Sequence, residues 1–143
     1  MSGIIGEAGS KSGIIGSNEE EYHTTSFSNT WIEWQWNTQS DRGGESGLRI
    51  QRYGKLYSIH LCIYKTNVSS GTGSSVIKTL SASDIKLPKQ NLVCGFANGY
   101  YGTGQYDQQG VEFATNGEIT VFYNEGLGST QHVIGNFTGV DHG

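Results

Sequence analysis

The chain of 143 residues predicts one all-β domain built of antiparallel strands as a sandwich or jelly roll. Three observations predict it. Gly, Ser and Thr together fill 50 of the 143 positions with a single Pro, a composition that lowers helix propensity throughout and excludes both collagen and a Pro-rich linker. Several short stretches alternate apolar and polar residues with period two, and Gly-containing turns separate them at roughly 8–12-residue spacing. Apolar residues make up only 34% of the chain.

Residues 1–18 form a segment of their own, read as an extended stem. Ser2-Gly3-Ile4-Ile5-Gly6 returns as Ser12-Gly13-Ile14-Ile15-Gly16, and two Ile pairs framed by glycines carry too little apolar surface to offset their own ordering. The segment reads either as a disordered leader or as a stem in which Ile4, Ile5, Ile14 and Ile15 meet copies of themselves or a larger particle. The acidic run Glu19 to Tyr22 reads as a solvated linker opening a head domain over residues 19–143.

Thr30 to Asn37 alternates, with Ile32, Trp34 and Trp36 on one face and Trp31, Glu33 and Gln35 on the other. Residues 40–47 are a loop by composition. Leu48 to Tyr53 alternates again, and Gly54-Lys55 reads as a tight hairpin turn into Leu56 to Lys65. Leu56 to Tyr64 is apolar at nearly every position and is expected to be a central strand buried on both faces. Asn67 to Ser75 reads as a loop, with an extended piece from Val76 to Leu80. Ser81 to Lys86 has room for one helical turn before Pro88, which holds Leu87 extended. Leu92 to Ala97 is a strand, and Asn98 to Gly110 a long loop rich in Gly, Tyr and Gln. Val111 to Thr115, Asn116-Gly117 and Glu118 to Tyr123 predict a hairpin with a type I′ turn. A last strand covers Thr130 to Gly139.

The chemistry-bearing residues point to binding rather than catalysis. Glu33, Glu112 and Glu118 show no spacing that predicts a carboxylate pair, and no nucleophile elbow, phosphate loop or zinc-helix motif is present, so the chain does not read as an enzyme. His60 and Cys62 share a face of a strand, yet alternation within a packed sheet accounts for them without a metal, and no cofactor is implied. A net charge of −4 without a basic patch excludes nucleic acid, and no apolar run of 18 residues predicts membrane insertion. Tyr100, Tyr101 and Tyr106 lie with Gln105 among glycines and few aliphatic residues, which suits contact with a saccharide or a protein. Trp31, Trp34 and Trp36 are a second candidate carbohydrate platform, with core and subunit packing as their other use.

The stretch Gly9-Ser10-Lys11-Ser12-Gly13-Ile14-Ile15-Gly16, the acidic Glu19-Glu20-Glu21-Tyr22, the step Arg52-Tyr53-Gly54-Lys55-Leu56, Leu87-Pro88 and the Asn116-Gly117-Glu118-Ile119-Thr120-Val121 hairpin follow one another in an order that resembles the small β-rich tip domains of bacteriophage tail fibres and related virion structural proteins, particularly of marine phages. The Gly-Thr-Trp that often opens such domains stands here as Ser28-Asn29-Thr30-Trp31. The resemblance implies a homotrimer located on the virion, mounted on other virion proteins through its N-terminal segment and presenting loops to a host cell-surface glycan or protein. The same composition fits a capsid-decorating or tail-structural protein without a receptor role, or a lectin module.

Overall fold

The computed structural model of the protein describes residues 19–34, 46–66, 72–100, 106–124 and 130–143, with the backbone alone at 72, 94–100, 106–109, 124, 130 and 131. Among these residues there are nine strands and no helix. They are β1 (Glu19–Thr24), β2 (Ile32–Glu33), β3 (Gly47–Tyr53), β4 (Leu56–Thr66), β5 (Thr72–Thr79), β6 (Leu92–Tyr100), β7 (Tyr106–Phe113), β8 (Glu118–Asn124) and β9 (Thr130–Val140).

Every pairing is antiparallel. One sheet runs β1-β3-β4-β9, with β2 continuing the lane of β3 along β4, and the second runs β5-β8-β7-β6. The sheets come together where β6 runs close beside β9. On the far side, the segment after β1 covers the outer edge of β5: Ser28 N donates to Ile77 O at 2.8 Å and Asn29 Nδ2 to Val76 O at 2.7 Å. Strand edges that would otherwise invite another chain are thus occupied on both sides of the second sheet. Sequential neighbours β3-β4 and β6-β7-β8 pair directly, and β5 lies beside β8, a Greek-key order within an antiparallel sandwich.

Alternation sets the core. Leu48 and Ile50 on β3, Tyr57, Ile59, Leu61 and Ile63 on β4, and Val133 and Phe137 on β9 face Ile77, Val111, Phe113, Ile119 and Val121 of the second sheet, all of them buried. The central strand β4 is buried on this face alone. Ser58, His60, Cys62 and Tyr64 are half-buried on the other, so the expectation of burial on both faces is corrected: among the described residues no second layer packs on the outer face of the first sheet.

Four further expectations change. The acidic run is a strand and not a linker, because Glu19, Glu20 and Glu21 stand opposite Tyr53, Arg52 and Gln51 of β3, and the charges find partners across the pair. The strand expected over Thr30 to Asn37 shrinks to β2 within the described residues. Asn29 and Thr30 hold positive φ of 58° and 65°, which ends the extended run before Trp31; from there the expected alternation holds, with Trp31 in the core and Ile32 exposed opposite Tyr64. The loop expected through Ser75 gives way to β5 from Thr72, paired with β8. Ser81 to Ile85 form a turn instead of a helix, in which Asp84 N bonds Ser81 O at 3.0 Å and the Asp84 carboxylate accepts Ser81 N at 2.8 Å.

The two tight turns follow the glycines. Gly54, at φ 62°, is the first central residue of the two-residue β3-β4 loop, which makes it a type II′ turn. Gly117 at φ 88° follows Thr115-Asn116 in a three-residue loop closed by Gly117 N to Ala114 O (3.0 Å) and Ala114 N to Glu118 O (2.9 Å). Only Gly117 takes positive φ, so the hairpin is a type I turn with a glycine bulge and not the expected type I′.

Candidate binding surface

The strand directions give the sandwich two unlike ends. At one lie Glu19 with its partner Tyr53, the β3-β4 turn, the 81–91 connection, the β7-β8 turn and Asp141. This end is tied down tightly. Glu20 accepts from Arg52 Nη1 at 3.2 Å and from Lys86 N at 3.1 Å, and the Tyr57 hydroxyl donates to Lys86 O at 2.9 Å. Asp141, itself buried, accepts from Lys89 N at 3.0 Å and donates its own N–H to Lys55 O at 2.8 Å. Burial pushes the Tyr57 phenol above its ordinary value, and the Arg52 guanidinium partly opposes that rise.

At the other end three connections of five residues each, 67–71, 101–105 and 125–129, join β4 to β5, β6 to β7 and β8 to β9. A few residues short of that end, Trp34 N donates to Cys62 O at 3.0 Å. The sheet pairs Thr66↔Thr130, Thr72↔Asn124 and Tyr100↔Tyr106 mark its rim.

The candidate tyrosines fall here. The expected long loop from Asn98 to Gly110 is mostly paired strand, since Tyr and Gln sit readily in a ladder and β6 and β7 hold register from Ala97↔Gln109 to Tyr100↔Tyr106. Tyr100 and Tyr106 are cross-strand partners at the tip of this hairpin, while Tyr101 and Gln105 lie outside the described residues. So do Ile4, Ile5, Ile14 and Ile15, and Trp36.

The other two tryptophans separate. Trp31 is 3% exposed, donates Nε1 to Ser75 Oγ at 3.0 Å and meets Tyr123 edge-on, so it is a core residue and no platform. Trp34 lies on the outer face of the first sheet. Its ring sits 4.3 Å from that of His132, which in turn stacks on Tyr64 at 5.8 Å. Sequence reading missed this trio, because His132 and Tyr64 are adjacent only through the β4-β9 register. Two rungs away on the same face, His60 Nδ1 and Asn136 Oδ1 are 2.8 Å apart, and the Cys62 thiol donates to Trp34 O. Among the described residues no three His, Cys, Asp or Glu side chains are grouped to hold a metal ion, and no helix is long and apolar enough to cross a membrane.

No family model matches the chain, and no curated protein or solved structure matches it either.

Proposed function

We propose that this chain is the host-binding head of a phage virion appendage. It works as a homotrimer, attached to other virion proteins through residues 1–18, and touches a cell-surface receptor with the end that carries Tyr100, Tyr101, Gln105 and Tyr106. The reading makes it a binding protein without catalytic residues or cofactor. One observation carries it: the chain enters the first sheet at Glu19, at the tied-down end, and the Tyr100↔Tyr106 hairpin tip lies at the opposite end with two other connections. A head mounted by its leading segment then holds its loops away from the mount, where binding residues on a rigid scaffold belong. A low apolar content also suits a protomer that gains stability by burying surface between copies.

The test is binding of the fluorescently labelled full chain to a panel of bacterial isolates, read by flow cytometry. Wild type stains a subset of isolates, and the Tyr100→Ser, Tyr101→Ser, Tyr106→Ser triple variant loses the staining with its melting temperature kept. Equal staining by the variant overturns the placement of the receptor contact, and staining of no isolate overturns the host-binding reading.

A further inference from the structure

We propose that the outer face of the first sheet, from Trp34 and Tyr64 down to Asn136, binds a neutral oligosaccharide. The proposal rests on the host-binding reading for the source of the sugar, and it places the contact on a surface different from the hairpin tip.

Trp34 bonds the backbone of Cys62 on the β3 side of β4, whereas His132 belongs to β9 on the other side. Lanes flanking a strand are roughly 9–10 Å apart, so an indole centred 4.3 Å from the imidazole lies across β4. The result is a ring step on a flat sheet: Trp34 and Tyr64, both half-buried, close over a His132 that is 9% exposed. Ile32, opposite Tyr64, extends the apolar surface at 46% exposure. Half-buried aromatic rings on a sheet face offer a flat, partly apolar ligand a surface to stack on.

Below the step the β4 and β9 residues of the face are neutral and polar. Asn136 is exposed and shares its carbonyl oxygen with His60, which leaves its amide group at the surface as a donor, and the exposed Thr138 hydroxyl follows two residues on. The nearest charge in the flanking lane is Arg49, and Glu21 stands 3.6 Å from it as an ion pair. Amide, imidazole and hydroxyl groups beside stacked rings match the alternating hydroxyls and C–H faces of a sugar, while a net charge of −4 disfavours an acidic polymer. A peptide does not fit the same place by strand addition, since β4 is paired on both sides. From Tyr64 to Ser58 the strip runs roughly 20 Å, the reach of a short oligosaccharide.

The test uses the full chain and a panel of neutral trisaccharides of glucose, galactose, mannose and N-acetylglucosamine, followed by tryptophan emission and calorimetry. At least one trisaccharide is expected to bind. Trp34→Ala should weaken it about tenfold, and Asn136→Ala, at an exposed position that no core contact uses, about fivefold. Trp34→Tyr should restore part of the loss, which separates stacking from any loss of folding in Trp34→Ala. The tyrosine triple variant should bind the sugar as wild type does. No binding up to about 10 mM of any panel member, or affinity unchanged in both Trp34→Ala and Asn136→Ala, overturns the proposal. Sugar binding lost only in the tyrosine triple variant also overturns it, and leaves the host-binding reading intact.

Discussion

Replacing Gly117 by Ala tests how the second sheet is locked to the tied-down end. Two penalties arise from separate features of the site. Gly117 holds φ 88°, and a Cβ in that left-handed region costs roughly 1–2 kcal/mol. The new methyl would also stand 1.9 Å from Leu80 O, a backbone atom that cannot swing aside. Relief requires the turn to withdraw from Leu80, and the 2.8 Å bond from Leu80 N to Gly117 O then breaks at a further cost of about 1 kcal/mol. The sum is about 2–3 kcal/mol, or roughly 6–12 °C in melting temperature for a domain of this size. Urea and thermal unfolding followed by circular dichroism measure it. Gly117→Asn divides the two causes, because Asn tolerates positive φ yet carries the same Cβ: it should recover about 1 kcal/mol and no more. Gly117→Ala within about 0.5 kcal/mol of wild type would refute the reasoning.

Other perturbations follow from the same contacts. Tyr57→Phe keeps the ring against Phe113 and removes the hydroxyl bond to Lys86 O, which should cost about 1 kcal/mol in urea unfolding. The raised Tyr57 phenol contributes stability that is complete below its ordinary value of 10.0 and is lost as pH climbs through the higher folded value, so Tyr57→Phe should lose less stability than wild type across that alkaline window. Asp84 behaves in the opposite sense. The backbone N–H and hydroxyl of Ser81 hold its carboxyl below 3.8, so the turn at 81–85 contributes stability above that value that fades as pH falls through the lower folded value, and Asp84→Asn should flatten the acid limb of a stability-against-pH curve. Trp31→Ala should cost about 3–5 kcal/mol as a buried aromatic deletion, well above the loss in Trp34→Ala on the surface, and similar losses in both would contradict the division between core and surface rings.

Local signals in the chain were legible where geometry is local. The glycines at 54 and 117, flanked by alternating β formers, located both tight hairpins, and the alternation of Leu48 to Tyr53 and Glu118 to Tyr123 marked the inward-facing residues correctly. What failed depended on partners distant in sequence. Glu19 to Glu21 look solvated until Tyr53, Arg52 and Gln51 are brought opposite them, some thirty residues on. Trp31 and Ile32 take opposite faces as the alternation requires, but that Trp31 and not Ile32 lies in the core is set by β5, which pins Asn29 just ahead of them. The Trp34, Tyr64 and His132 step has no sequence period at all, because it is assembled by register between three strands. Turn type escaped as well: Asn116-Gly117 permits the two-residue type I′ turn, and only the hydrogen bonds of Ala114 select the three-residue alternative.

The polarity of the head can be read directly from a cell. A photo-reactive phenylalanine analogue placed at position 103, between β6 and β7, or at position 55, in the β3-β4 turn, would be incorporated into the full chain, bound to a stained isolate and cross-linked by light. The account predicts transfer of label to a cell-surface molecule from position 103 and none from position 55. Transfer from position 55 alone, or equally from both, would contradict a head that meets its host at the end remote from Glu19.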